Sequence, residues 1–284
     1  MHAEDGLIKT STIVGVVDAV GTPHNSKYPA RLYGKLTSGE KAARTAEYVF
    51  SQNSSSGIKG TLTILNKAIL AFQKKLSARP ELLAGICLAV ARLSDSNVEV
   101  AQIGDAFAVI ENSNGNLTVS PYRTYAHETE VGKLRNKVFN GLARRLYGCK
   151  PDKVTEKEKN NIRQSFWEEV VDPWIELRKR NGNNKKSPSG YGLLNGQKEY
   201  TDFLWYRKFP VKSIRRILLC TDGMIPQHVL AGGNELKIGR WLLERFNHGG
   251  WPAVLKGARL TESHSKTISH TSAPEAMGYS LTLF

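Results

Sequence analysis

Cysteine is scarce in this sequence, and its three copies, Cys87, Cys149 and Cys220, lie far apart with no Cys-x-x-Cys pair. That spacing excludes a disulfide framework and a thiolate zinc cluster, and it suits a reducing interior. Long apolar runs are missing too: none approaches the roughly 20 residues that a membrane-spanning helix needs. Met1-His2-Ala3-Glu4-Asp5 carries no basic segment followed by an apolar core, so a secretory leader is not expected and a soluble, cytoplasmic protein is. Three common catalytic signatures are also missing. There is no glycine-rich phosphate loop ending in Gly-Lys-Ser/Thr and no Gly-x-Ser-x-Gly elbow. His127-Glu128 is followed by Thr129-Glu130-Val131, which lacks the second histidine of a zincin helix. Nucleotide-binding, serine-hydrolase and zincin chemistries lose their usual sequence support.

Negative charge is in short supply: 26 acids stand against 40 Lys and Arg, a net +14. Such a balance favours anionic partners, phosphorylated proteins among them. It does not by itself indicate nucleic acid. The densest basic stretch, "RKRNGNNKKSPSG" at 178–190, is rich in Gly, Asn, Ser and Pro and has no interleaved aromatics, which reads as a solvated loop. No dedicated nucleic-acid binding is expected.

What is present is a pattern of alternating blocks. "STIVGVVD" at 11–18 predicts a strand ending in Asp18, and the Gly-, Pro- and Asn-punctuated 19–39 predicts a long loop. Ser38-Gly39-Glu40 opens a helix with Ala42, Ala43, Ala46, Val49 and Phe50 on one stripe, and a second helix is expected over 61–78. "ELLAGICLAVARL", "NVEVAQIG" and "DAFAVIEN" follow as three strands of an antiparallel meander, and Asn114-Gly115 marks a tight turn. Residues 131–182 read as helical, interrupted near Pro173. Strands return in 190–209 and 213–220, helices in 239–246 and 251–260, and a last strand in "GYSLTLF". Antiparallel blocks separated by helix pairs predict an α+β fold in one domain, residues 1–284, with a mainly helical insertion at about 131–182.

Acids recur where those strands end: Asp5, Asp18, Asp105, Asp222 and Glu275. A lone aspartate at a strand end is ordinarily a turn former. Five in the same relation to a sheet can converge on one edge, and oxygen-only ligation without cysteine or clustered histidine suits Mg²⁺ or Mn²⁺.

In this order and strand context, Glu4-Asp5, "VGVVDAVG" from 14, "VAQIGDAFAVI" from 100, "ILLCTDGM" from 217 and "EAMGYSLTLF" from 275 resemble the metal-dependent protein phosphatase family, the type 2C serine/threonine phosphatases, and bacterial members in particular. The resemblance runs over nearly the whole chain. It implies a four-layer αββα sandwich of two mainly antiparallel sheets flanked by helix pairs. It further implies that Asp18 bridges two cations, that Asp222 and Glu275 complete one of them, and that the Ala19 carbonyl serves the other. Asp5 or Glu4 would act through a water, and Asp105 with Asp222 would hold a third, weaker cation. Hydrolysis of phosphoserine or phosphothreonine in a protein substrate, by a water activated between two Mn²⁺ or Mg²⁺ ions, is the activity implied, with Asp18 and Asp222 central to it.

The sequence departs from the family pattern at several positions. Ala19 replaces a glycine, Phe107 stands in place of an arginine, Glu275 in place of an aspartate, and no arginine precedes Glu4. The Ala19, Phe107 and Glu275 departures keep a second reading open, a catalytically silent phosphatase-like module that binds a partner. His24 is a loop histidine or a proton donor to the leaving group, and Arg31 and Lys35 are candidate phosphate contacts. The 131–182 segment is expected beside the site, where it would select substrates.

Overall fold

A computed structural model describes residues 4–264 and 276–283. Two antiparallel sheets lie face to face between helices. The first has the order β1-β2-β5-β6-β9, built from Gly6–Lys9, Ile13–Val20, Gly85–Leu93, Asn97–Ile103 and Trp205–Pro210. The second has the order β11-β10-β7-β8, built from Gly278–Thr282, Ile214–Cys220, Phe107–Asn112 and Leu117–Val119. A small hairpin, β3 (Leu32–Tyr33) with β4 (Leu36–Thr37), precedes α1 (Ser38–Gln52).

Side-chain alternation builds the layers. On β2 and β5, Ile13, Val17, Ala19, Ile86, Leu88 and Val90 face α1 and α2 (Ile58–Phe72), where Phe50, Leu62, Leu65 and Ile69 close that layer. The opposite faces, Val14, Val16, Ala89 and Ala91, meet Ala108, Ile110, Ile217 and Leu219 of the second sheet. On the far side, Phe107, Val109, Leu218 and Cys220 pack against Val229 and Leu230 of the short α5 (Gln227–Leu230) and against Ile238, Leu242 and Val254 of α6 (Glu235–Asn247) and α7 (Gly250–His264). Each fully buried branched side chain contributes about 1.5–3 kcal/mol to holding the layers together. The result is the αββα sandwich.

Local signals position the helices. Thr37 caps α1 through a capping box with Glu40, so the helix starts one residue beyond its cap and brings its N-terminus under the end of β2. A second capping box, Thr155 with Glu158, starts α4 (Glu156–Asn181), which packs on α3 (Tyr125–Tyr147). These two helices occupy most of the segment expected to be helical at 131–182, beginning earlier, at Tyr125.

Four expectations are corrected. The three-strand meander is broken: β5 and β6 pair in the first sheet, but the chain crosses at 104–106 and β7 joins β10 in the second. The "GYGLLNGQKEYTDFLWYRKF" stretch is strand only from Trp205; before that the Asn183 side chain, bonded to Leu193 at both N and O, folds it into a buried loop. The 178–190 stretch is less a solvated loop than a tie, since Arg178, Asn181, Asn183 and Ser189 are all buried. Finally, α4 runs through Pro173 without interruption, because buried Val170, Val171 and Ile175 anchor the helix on both sides of the missing N–H.

Candidate active site

Period-two alternation places position 18 on the same face of β2 as Val14 and Val16, so the Asp18 side chain enters the gap between the sheets. The strand continues to Val20, two residues past the acid, and Asp18 lies opposite Cys87 of β5. Next to this pair, Gly104 takes φ +79°, and a Cβ there would stand 2.1 Å from Cys87 Sγ. Only glycine allows that approach, and the turn it makes delivers Asp105 to the end of the same gap. From the second sheet β10 ends at Cys220, and Thr221 leads into a short 3₁₀ turn, Asp222–Met224. Asp222 therefore arrives from the opposite layer.

Thr221 joins the two sheets at this end. It is fully buried; its Oγ1 donates to Asp5 Oδ2 at 3.1 Å and accepts from the Met277 amide at 3.0 Å, while its own N–H donates to the Met277 carbonyl. The hydroxyl so links the segment before β1, the end of β10 and the segment before β11. Its neighbour Asp222 drew the attention in the sequence, and nothing in the sequence marked Thr221 beyond that adjacency.

Asp5, Asp18, Asp105 and Asp222 are brought together, and a fifth acid joins them. Burial holds the Asp18 carboxyl well above the usual carboxylate range, and Asp105, Asp222, Asp5 and Glu128 push it further up. Asp222 is raised in the same way by burial, Asp105, Glu128 and Asp5, against a lowering bond from the Gly223 amide. Asp105 is raised by burial and partly relieved by the Cys87 thiol and by backbone. Its Oδ1 is buried with no hydrogen-bond partner among the described residues. Glu128, in the first turn of α3, is pushed to about 7 by crowding protein atoms and Asp105, while Arg135 pulls it down. That residue is exposed at the mouth of a cleft, so water reaches its carboxyl and tempers the crowding. The sequence set Glu128 aside with the failed zincin pattern; a glutamate on a helix joins a strand-end cluster only through tertiary packing.

The cleft, about 330 Å³, runs between α3 and the segment after β10, with Asp222 and Glu128 on its wall beside Tyr122, Arg135, Asn136 and Gln227. Burial and the same acids push the Tyr122 hydroxyl up, which keeps it a neutral donor. Its ring packs on buried Phe107 at 5.1 Å, so the position that departs from the family pattern is part of the core beneath the cleft.

The remaining candidates fall in different places. Glu4 lies over the start of α1: it accepts from Thr37 Oγ1 at 2.6 Å, and a Cβ on Gly39 would meet its Oε2 at 2.4 Å. A carboxylate there is favoured by the N–H groups and dipole of the helix terminus. Ala19 packs its methyl into the helix-facing core, while Ile86 spends its N–H and C=O on Leu194. The Ala19 carbonyl is thereby turned from β5 toward the edge where residues 4 and 5 run. His24 is exposed, its Nδ1 3.3 Å from the Thr22 carbonyl oxygen. Arg31 and Lys35 are exposed, and Arg31 borders a separate cavity against Phe72 and Lys74. Glu275 lies outside the described residues.

Whether a divalent cation suits this place can be judged from the donor set. Asp18, Asp105, Asp222 and Glu128 form no ion pair with Lys or Arg among the described residues, and Asp105 Oδ1, buried without a hydrogen-bond partner, is an acceptor. Oxygen acceptors raised by burial and by mutual repulsion fit a hard cation. Among the described residues the carboxylates are neighbours and not a closed shell: no three His, Cys, Asp or Glu side chains are arranged to hold a metal ion.

No protein-family model and no curated protein matches the sequence. Solved structures do match in fold. The serine/threonine phosphatase Stp1 from Staphylococcus aureus aligns over 100% of this chain and 90% of its own, with TM-score 0.51 and 12% identity. A bacterial serine phosphatase carrying an arginine-to-lysine substitution aligns over 98% of this chain and 90% of its own, with TM-score 0.50 and 12% identity. The catalytic domain of the phosphatase PstP, in complex with two manganese ions, covers 90% of this chain and 86% of its own at TM-score 0.45 and 14% identity. The fold is that of the type 2C phosphatase sandwich.

Proposed function

We propose that this chain is a metal-dependent phosphoprotein phosphatase acting on phosphoserine or phosphothreonine. One observation carries the reading: Asp18, Asp105, Asp222 and Glu128, from both sheets and from α3, meet at one end of a phosphatase-type sandwich, raised by burial and by their mutual charge, and form no ion pair with Lys or Arg among the described residues. Asp18, Asp222, Asp105, Asp5 and the Ala19 carbonyl are the groups that would hold Mn²⁺ or Mg²⁺, with Glu275 as a further candidate. Bound there, such cations supply charge neutralisation for the phosphoryl oxygens and a lowered pKa for water.

The chain's own residues prepare that chemistry. Thr221 holds Asp5 against the end of β10, so acids from the two sheets keep a fixed separation. Cys87 and Gly104 hold Asp105 in a tight turn. The cleft beside Asp222 admits a phosphorylated side chain from the solvent, and Arg135 and Asn136 on its wall offer donors to the phosphate or the flanking peptide.

Hydrolysis of para-nitrophenyl phosphate by the purified chain tests the reading. Turnover with added Mn²⁺ that stops in excess EDTA, and that Asp18→Asn or Asp222→Asn reduces at least a hundredfold, is the expected result, in keeping with losses of about 2.7 kcal/mol or more for groups of this kind. Full activity in chelator would overturn the metal dependence. No turnover with either metal would leave the silent, partner-binding module.

A further inference from the structure

A second cavity, about 340 Å³, lies where the end of α4 meets the connection from α2 to β5 and the loop ahead of β9. Its polar lining is one-sided. Arg178 is buried, 4% exposed, and spends two of its guanidinium N–H groups on the carbonyls of Gly21 (3.2 Å) and Leu83 (2.7 Å). It forms no ion pair among the described residues, so a full positive charge is buried against two carbonyl dipoles and the face of the Trp174 ring, 5.9 Å from the guanidinium carbon, with no anion beside it. Lys179, beside it, is exposed at the mouth and is likewise unpaired among the described residues.

The amides and the phenol agree with the cations. Gln197 uses its Oε1 as acceptor for Asn183 and Asn195, which leaves its Nε2 donor without an acceptor among the described residues. The Tyr191 hydroxyl also makes no hydrogen bond among the described residues. Asn195, in contrast, is satisfied at both ends of its amide. The one carboxylate on the lining, Glu81, is taken by Arg79 at 3.1 Å. Among the described residues the open side-chain groups of Arg178, Lys179, Gln197 and Tyr191 can all donate, and two of them are cationic.

We infer that this cavity is a binding site for a small phosphate-type oxyanion, held by Arg178, Lys179, Gln197 and Tyr191 and separate from the acid cluster. An anion with several acceptor oxygens satisfies all four groups at once and offsets the buried charge. Binding there reaches the acid-bearing strand: the same guanidinium holds the carbonyl of Gly21, three residues after Asp18. An occupant that draws Arg178 toward the cavity therefore acts on the end of β2.

The test uses the full chain in EDTA, where no turnover and no cation at the acid cluster contribute, so its outcome is independent of the phosphatase assay. Inorganic phosphate and O-phosphoserine are titrated by calorimetry at constant ionic strength against wild type, Lys179→Glu and Gln197→Glu. Gln197→Glu keeps the oxygen acceptors that Asn183 and Asn195 use and replaces the free donor with a repelling charge. Binding to wild type, weakened at least tenfold in both variants, equivalent to about 1.4 kcal/mol, is the expected result. Tighter binding of phosphate assigns the site to the free ion, and tighter binding of phosphoserine assigns it to a monoester. No binding to wild type, or equal affinity in all three proteins, would overturn the site. A phosphate-dependent shift of the Gly21 amide resonance is expected in parallel, and its absence with binding intact would overturn the link to β2.

Discussion

Gly104→Ala is the sharpest perturbation of the site that leaves every acid in place. Two costs can be separated. At φ +79° an alanine is held in left-handed backbone, worth about 1–2 kcal/mol. The new Cβ would also lie 2.1 Å from Cys87 Sγ and 2.5 Å from Cys87 Cβ, neither of which is the free end of a long side chain. Overpacking of this kind costs roughly 1–3 kcal/mol more. Gly115→Ala isolates the first cost: its φ is +83°, and nothing lies within 4 Å of the position its Cβ would take. Urea unfolding should show Gly115→Ala destabilised by about 1–2 kcal/mol and Gly104→Ala by about 2–5 kcal/mol. Only Gly104→Ala should also lose phosphomonoester hydrolysis, because the clash falls on the thiol that faces Asp105. Equal stability losses in the two variants, or full activity in Gly104→Ala at temperatures where it is folded, would refute the claim that the Gly104–Cys87 contact sets Asp105.

Two further outcomes follow from the charges. In EDTA, Asp222→Asn should raise the melting temperature, since it removes one member of a repelling group; a gain of about 1 kcal/mol corresponds to roughly 2–4 °C, and excess Mn²⁺ should stabilise wild type more than the variant. A lower melting temperature in EDTA would mean that the carboxylate is held by favourable contacts. His127 is buried, stacked on Tyr191 at 4.1 Å and held by Asn181, and its pKa is lowered to about 4, first by burial and then by Arg178. A lowered histidine contributes stability that is complete above the ordinary 6.5 and lost as pH falls toward 4, because the unfolded chain takes the proton first. The raised Asp18, Asp105 and Asp222 work in the opposite sense, losing stability as pH rises, and they are common to both proteins in a comparison with His127→Phe. Between pH 7 and pH 5 wild type should lose about 2 kcal/mol more than that variant, measured by urea unfolding; parallel profiles would remove His127 as the acid-sensitive group.

Legibility in the sequence followed the range of the interaction. Alternation within β2, β5 and β10 and the helical stripe at Ala42, Ala46, Val49 and Phe50 are local, and each element formed near where its residues indicated. Which sheet a strand joins is not local. "DAFAVIEN" has the same alternation whether β7 pairs with β6 or with β10, and the crossing is made by Gly104 packing on Cys87, a contact 17 positions apart in sequence. The same limit applies to the site. Asp18, Asp105 and Asp222 were visible because strand ends of a sandwich share an edge. Glu128 was not, because a helix can carry a glutamate to any azimuth, and only the packing of α3 turns this one toward Asp105. Thr221 and Arg178 look ordinary in sequence; their importance lies in partners more than 150 positions away, Asp5 and Gly21.

The charge pattern gives the site its physical problem. The chain carries a net +14, so its far field favours anionic partners. Near the cleft the sign reverses: Asp5, Asp18, Asp105, Asp222 and Glu128 face one another, and a phosphate dianion approaching Asp222 meets that repulsion with Arg135 as the cation on the wall. A single guanidinium already opposed by Glu128 cannot offset four aspartates, so phosphate recognition at this end of the sandwich calls for further positive charge among the carboxylates. At the Arg178 cavity the balance is the opposite, with cations and donors in excess and the one carboxylate already paired. The two places thus differ in the sign of their charge: carboxylates crowd one, and the proposed oxyanion site has cations and donors in excess.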